Sequence, residues 1–367
     1  MPKYCGHLIL KRSVSWQGTV PMSNTYHALR GEIFGVKCEH DYNWLLRMGY
    51  FRDPYKDFRL WPSDHLKKLR PGTEVVIVRD IGLGDLVIIS AAIKALDEAH
   101  PHLRFAWATN SYHRELFENV PWLTCTYQIS SMRGSFDAID LRGFAERHHA
   151  KYTTDRIDIY FDYLLGSRPK EYRFCVPVLT EAERQWARQT LAEVPAPRVA
   201  IAAKSSTIHL RTFPEAQVIE VAHRLNEENM SAVLTYNDFL DWPADLNLTG
   251  QLNIRQLCAI VAECDAVISP DTGLCHLAEA VETPHIDLYS SWPPRLRLSH
   301  YRYAFPIWKA GSLGLPKCPC FDKRPTCTTL ECMRAISSSE IIARVRQAIA
   351  ERVNTNVREE EKTWAIR

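Results

Sequence analysis

EVVIVRDIGLGDLVIISAAIKALDEA, residues 74–99, reads as a buried strand, a glycine-containing turn and a helix. The run from Glu74 to Val78 lacks the polar alternation of a strand with one wet face, so both of its faces are expected to be covered. The turn, Arg79-Asp-Ile-Gly82-Leu-Gly84-Asp85, opens a helix that closes at His100-Pro101, where proline cannot continue it. A second apolar strand, RFAWAT (104–109), follows directly. Strand, turn, helix and strand in that order form the unit of a parallel α/β sheet.

The same alternation resumes further on. RVAIAAK (198–204), a helix from Pro214 to Glu228, SAVLTY (231–236), IRQLCAIVAEC (254–264), DAVISP (265–270), LCHLAEAVE (274–282) and HIDLYS (285–290) repeat it. Between the two runs, residues near 170–197 are rich in Pro and Glu around one helix, TEAERQWARQTLAEV, and mark the boundary. The expected fold class is α/β, with two facing Rossmann-like domains and a cleft between them. Residues 66–180 form the first domain and 181–345 the second; 346–367 are the end of the last helix and a tail. That last helix, SSSEIIARVRQAIAERV, is amphipathic and is expected to pack back across the first domain.

Residues 1–65 do not follow the alternation. They hold strand candidates, HLILKR and EIFGVKC, and an aromatic stretch, YNWLLRMGYF. This small N-terminal module is expected to serve packing, oligomerisation or acceptor recognition.

The chain has 367 residues, 46% hydrophobic and 24% charged, enough for two cores. Its 45 basic and 43 acidic side chains nearly cancel, so bulk charge points neither to a nucleic-acid binder nor to a disordered acidic chain. No stretch is long and apolar enough to span a bilayer, and MPKYCGHLILKRSVSW lacks the apolar core of a signal peptide, so a cytoplasmic location is expected. Of 11 cysteines, Cys5, Cys38, Cys125, Cys175, Cys258, Cys264 and Cys275 stand singly in apolar or strand-like context and read as small core residues. Cys318, Cys320, Cys327 and Cys332 cluster. Four thiolates suit structural zinc or iron, although the C-x-C spacing is tight; reduced, packed cysteines and disulfides are the alternatives.

Three constellations carry chemistry. The turn Gly82-Leu-Gly84-Asp85 stands at the carboxyl end of a strand and the start of a helix, where backbone N–H groups and the dipole favour an anion or a reacting hydroxyl. A nicotinamide fingerprint is disfavoured, because Val87 replaces the third glycine and the next strand ends at Ala108-Thr109 without a ribose-binding acid. Asp85 either caps the helix or takes part in chemistry. The second constellation is Asp271-Thr272-Gly273-Leu-Cys-His276 after the strand DAVISP. The third is Lys204-Ser205-Ser206, with Arg211 two residues before Phe213-Pro214. A further loop, Trp292-Pro-Pro-Arg295-Leu-Arg297-Leu-Ser-His300-Tyr301-Arg302-Tyr303, interleaves basic and aromatic residues; it is either a contact for the nucleotide or for a phosphorylated or nucleic-acid acceptor, or an ordinary surface loop.

The segment VVIVRDIGLGDLVIISAAIKAL, the D-T-G-x-x-H-L string at Asp271–Leu277 and the basic residue before Phe213-Pro214 resemble glycosyltransferase family 9, the bacterial heptosyltransferases. The resemblance covers roughly residues 74–345; arginine and phenylalanine at 211 and 213 depart from the family's lysine and tryptophan. It implies the GT-B fold and inverting transfer of a sugar from a nucleotide-diphosphate donor, ADP-heptose foremost, to a hydroxyl acceptor. Asp85 would be the general base, with Gly82 and Gly84 forming its turn or meeting the acceptor. Lys204, Ser205, Ser206, Arg211, Asp271, Thr272, Gly273 and His276 would hold the donor and its diphosphate. No catalytic cofactor is implied, and the chain contains no D-x-D metal triplet. The implied acceptor is an envelope saccharide such as lipopolysaccharide core, met at the inner membrane face; a protein or hydroxymethylated DNA acceptor and a non-catalytic sugar-nucleotide-binding protein are the alternatives.

Overall fold

The computed structural model describes residues 65–80, 82–129, 137–202, 204–205, 209–314, 319–322 and 329–352 in full, and the backbone alone of 6–10, 14–17, 25–28, 33–36, 51–52 and 353–365. The chain opens with five short strands, β1 (Gly6–Leu10), β2 (Val14–Gln17), β3 (Thr25–Ala28), β4 (Ile33–Val36) and β5 (Phe51–Arg52). β1 pairs antiparallel with β4 and β5, and β2 with β3. Both N-terminal strand candidates therefore form strands.

Next come β6 (Glu74–Val78), α1 (Leu83–Ala99), β7 (Arg104–Thr109), β8 (Leu123–Gln128), β9 (Asp137–Asp140) and α2 (Arg156–Leu165). The four strands form a parallel sheet in the order β8-β7-β6-β9. Most of α1 is buried, from Gly84 through Ile93, because it packs against α2 and against the second half as well as the sheet. A helix enclosed on several sides is apolar nearly all round, as its sequence is.

The second half contains α3 (Glu181–Thr190), β10 (Arg198–Ala202), α4 (Glu215–Glu227), β11 (Ser231–Thr235), β12 (Leu246–Asn247), α5 (Ile254–Ala262), β13 (Ala266–Pro270), α6 (Gly273–Ala280), β14 (His285–Tyr289), β15 (Ile307–Trp308) and α7 (Ser338–Ala365). Its six strands are parallel, ordered β12-β11-β10-β13-β14-β15. Capping boxes start α3 (Thr180 with Glu183) and α5 (Asn253 with Gln256), satisfying the first helical N–H groups.

The last helix docks differently from expectation. Ile341, Ile342, Val345 and Ala348 of α7 are buried in one apolar cluster with Val218, Val221 and Leu225 of α4 and Ile286 and Leu288 of β14. Gln217 and Arg224 of α4 donate to Ile336 O and Ser339 Oγ. Among the described residues its apolar stripe thus covers the second half and not the first domain. Cys258, Cys264 and Cys275 are core residues as expected, and burial pushes the Cys258 and Cys264 thiols up to about 12. Among the described residues, no helix is long and apolar enough to cross a membrane.

Candidate functional site

In each sheet the chain runs to one side and then returns to the other. The reversal falls between β6 and β9 in the first sheet and between β10 and β13 in the second. Ligands of open parallel sheets bind at the carboxyl ends of the strands beside such a reversal. A cavity of about 440 Å³ opens there and is lined from both halves. Gly82, Leu83, Gly84, Asp85 and Arg156 come from the first; Lys204, Ser205, Arg211, Asp271, Thr272, Gly273, His276 and Arg297 come from the second.

Asp85 lies in the first turn of α1 without capping it: Gly82 is the N-cap, at φ 85°, and no side chain bonds the helix start. A Cβ on Gly82 would come within 2.8 Å of Asp85 Oδ2, so glycine is required for both the left-handed turn and the carboxylate. The carboxylate is 6% exposed and held by two arginines, Arg79 Nη2 to Oδ2 and Arg156 Nη1 to Oδ1, each at 2.5 Å. Arg79 also donates to Glu146 Oε1 at 2.8 Å and to Leu141 O at 2.9 Å. Two cations and two anions thus balance. Desolvation pushes the Glu146 carboxyl up, but Arg156 and Arg79 outweigh it and hold it well below the carboxylate range. Each Asp85 oxygen spends one lone pair on an arginine and keeps another for a hydroxyl.

The second constellation forms the start of α6. Thr272 is its N-cap, accepting from Leu274 N at 3.3 Å, and its hydroxyl also meets Ser269 Oγ at 2.9 Å. The Thr272 hydroxyl is therefore engaged within its own turn. Gly273 faces the other half: a Cβ there would lie 2.8 Å from Leu83 Cβ. A Cβ on Gly84 would lie 2.1 Å from His276 Cδ2. The two helix starts press together across the halves, and a glycine on each permits it. Burial pushes the His276 imidazole down to about 4, so it is neutral at physiological pH; its Nδ1 bonds Tyr301 Oη.

Arg211 follows β10 and is neutralised where it stands. Its Nη1 lies 3.3 Å from Asp271 Oδ2, and its Nη2 pairs with Asp322. Asp322 also accepts from Ser291 Oγ and, at 2.7 Å, from Trp292 Nε1. Lys204 places its ammonium 4.8 Å from the centroid of the Trp242 ring. Ser206, Cys318 and Cys327 lie outside the described residues. Cys320 and Cys332 are half-buried, and among the described residues no three His, Cys, Asp or Glu side chains stand grouped as metal ligands.

Arg79, Glu146 and Arg156 were not read from sequence as site residues. Arg79 lay inside the quoted turn, where a basic residue next to an acidic one carries no special signal. Arg156 reaches Asp85 across 71 positions, a pairing visible only once the sheet folds.

Residues 160–298 match the model of glycosyltransferase family 9 (heptosyltransferase). The lipopolysaccharide core heptosyltransferase OpsX of Haemophilus influenzae is 42% identical over 55 residues, which is 15% of this chain and 16% of that relative. The chain also superposes on ADP-heptose lipopolysaccharide heptosyltransferase II of E. coli, with TM-score 0.61 and 13% identity, over 76% of this chain and 99% of that one. The iron-containing dodecameric glycosyltransferase TibC of enterotoxigenic E. coli is similar as well, with TM-score 0.58 and 15% identity over 77% of this chain and 78% of that one. The fold is GT-B, and the stretch that matches the family model takes in the last six residues of α2, the second sheet through β14 and the Trp292–Arg297 loop.

Proposed function

We propose that the protein is an inverting glycosyltransferase that moves a sugar, heptose from ADP-heptose, onto a hydroxyl of an envelope saccharide of the lipopolysaccharide core type. One observation carries the reading: Asp85, at the switch point of the first sheet, and the Asp271–His276 turn, at the switch point of the second, open on the same cavity. The sugar carbon bonded to the diphosphate lies between them. Asp85 takes the proton of the acceptor hydroxyl as its oxygen attacks that carbon, and the carbon–oxygen bond to the diphosphate breaks on the opposite face. Arg79 and Arg156 fix the carboxylate so that its remaining lone pairs point at the acceptor. Lys204, Ser205 and the start of α6 meet the charge released on the diphosphate. A neutral His276, hydrogen-bonded through Tyr301, supports the donor turn without adding charge. Residues 1–65 and the first sheet serve the acceptor, which resides at the inner membrane face.

Asp85→Asn keeps the shape of the side chain and removes the base. Transfer from ADP-heptose to a lipopolysaccharide core acceptor falls by about 100-fold or more, the usual worth of a general base, while ADP binding is unchanged. Full transfer activity in the Asp85→Asn variant would refute Asp85 as the general base; absence of transfer in the wild-type protein that still binds ADP would leave only a binding protein of the same fold.

A further inference from the structure

We propose that Arg297 is the guanidinium that binds the donor diphosphate in this chain, in place of Arg211; the inference rests on the nucleotide-sugar reading and names a residue within that site.

Four cations line the cavity: Arg156, Lys204, Arg211 and Arg297. Arg156 is matched by Asp85 and Glu146, and Arg211 by Asp271 and Asp322. Arg297 forms no ion pair among the described residues, although it is only 4% exposed. Its Nη1 donates to Leu296 O at 2.8 Å, and its Cζ sits 4.0 Å from the centroid of the Trp292 ring, which fixes the plane of the fork. The remaining N–H groups have no acceptor among the described residues. A buried guanidinium without a counter-ion carries an uncompensated desolvation penalty, which an anion entering the cavity would offset. Burial lowers this arginine to about 10, which still leaves it charged at neutral pH.

Lys204 is the other lining cation without an ion pair among the described residues. The cavity therefore presents two unmatched positive charges. The diphosphate of a nucleotide sugar carries two negative charges. Arginine's planar fork suits two phosphate oxygens at once, and the Trp292 stack holds that fork before the ligand arrives. Arg211 would have to break its pairing with Asp322 to do the same work.

The test measures ADP, UDP, adenosine and uridine binding by calorimetry to the full chain and to Arg297→Met. The nucleoside diphosphate that binds the wild-type protein is expected to bind Arg297→Met at least about 30-fold more weakly, and its nucleoside to change by less than about twofold. The unliganded variant is expected to melt at or above the wild-type temperature, since a buried charge without a partner has been removed. Diphosphate binding unchanged in Arg297→Met overturns the inference and leaves the donor reading standing; equal loss of diphosphate and nucleoside with a lower melting temperature assigns Arg297 a structural role and also overturns it. Failure of the wild-type protein to bind either diphosphate overturns the donor reading itself, and this inference with it. Should Arg297→Met not fold, Arg297→Lys answers the question: it keeps the charge but loses the fork, so diphosphate affinity drops about tenfold with the nucleoside unaffected, and unchanged affinity refutes the assignment.

Discussion

Replacing Gly84 by alanine places a methyl carbon 2.1 Å from His276 Cδ2, about 1.3 Å short of ordinary van der Waals contact at 3.4 Å. Alanine within a helix is normally worth about 0.5–1 kcal/mol over glycine, and less in the first turn, so propensity alone would raise stability. The clash decides the sign. His276 is 5% exposed and tied through Nδ1 to Tyr301, so its ring cannot swing clear, and either the two halves separate or the His276–Tyr301 bond breaks. Forcing an extra methyl into a packed contact costs about 1–3 kcal/mol. Net of propensity, a loss of about 1–2 kcal/mol remains, which lowers the melting temperature by roughly 1–3 °C in a chain of 367 residues. The assay is thermal denaturation of wild type, Gly84→Ala, His276→Ala and the double variant. In the double variant the methyl has room, so most of the Gly84→Ala penalty disappears and the coupling amounts to about 1 kcal/mol or more. A Gly84→Ala protein as stable as wild type, or a penalty that persists in the His276→Ala background, refutes the claim that these two helix starts are pressed together.

Two further outcomes follow from the ion pairs and the buried histidines. Arg156→Met leaves Asp85 Oδ1 without its guanidinium while Arg79 still holds Oδ2, so the carboxylate is kept but turns; transfer falls about 100-fold with ADP affinity unaltered, and an unchanged rate removes Arg156 from the machinery. The melting temperature should also depend on pH in two windows. His276 is pushed from 6.5 down to about 4, so the unfolded chain takes up a proton that the folded one refuses, and stability held above pH 6.5 is lost as pH falls toward 4. Burial also opposes charge on His285, but Asp287 and Glu279 outweigh it and raise the imidazole to about 9; its contribution is whole below pH 6.5 and is lost as pH rises toward 9. Between pH 6.5 and 8.5 that limb is worth about 2 kcal/mol. It should flatten in His285→Gln, and an undiminished slope in melts across that range places the titration elsewhere.

The strands β6, β7, β10, β11, β13 and β14 were legible because each is buried on both faces and so reads as an unbroken apolar run. β8 and β9 were not. LTCTYQ is half-exposed and DAID has one buried residue in four, so neither carries the pattern that identifies a covered strand. The amphipathic stripe of α7 announced that one side is buried without saying against what; the partner, α4 and β14, is set by tertiary packing alone. The charges behaved likewise. Asp85 stood out by its position after a strand and a glycine turn, whereas the two arginines that hold it come from the end of β6 and from a helix 71 residues away.

Glycine is where sequence and structure diverge most instructively. A glycine beside a helix start signals that something comes close, and the natural reading is a ligand phosphate. At Gly84 and Gly273 what comes close is the opposite half of the protein, His276 and Leu83. The same contact fixes the distance between the proton acceptor on α1 and the donor turn on α6, so the glycines act on the chemistry by setting where the halves meet. A side chain at either position would be expected to separate acceptor from donor without touching either one. Gly84→Ala and Gly273→Ala should therefore depress transfer together while ADP still binds to the second half. Gly273→Ala with lost ADP affinity and intact stability would instead return that glycine to the phosphate.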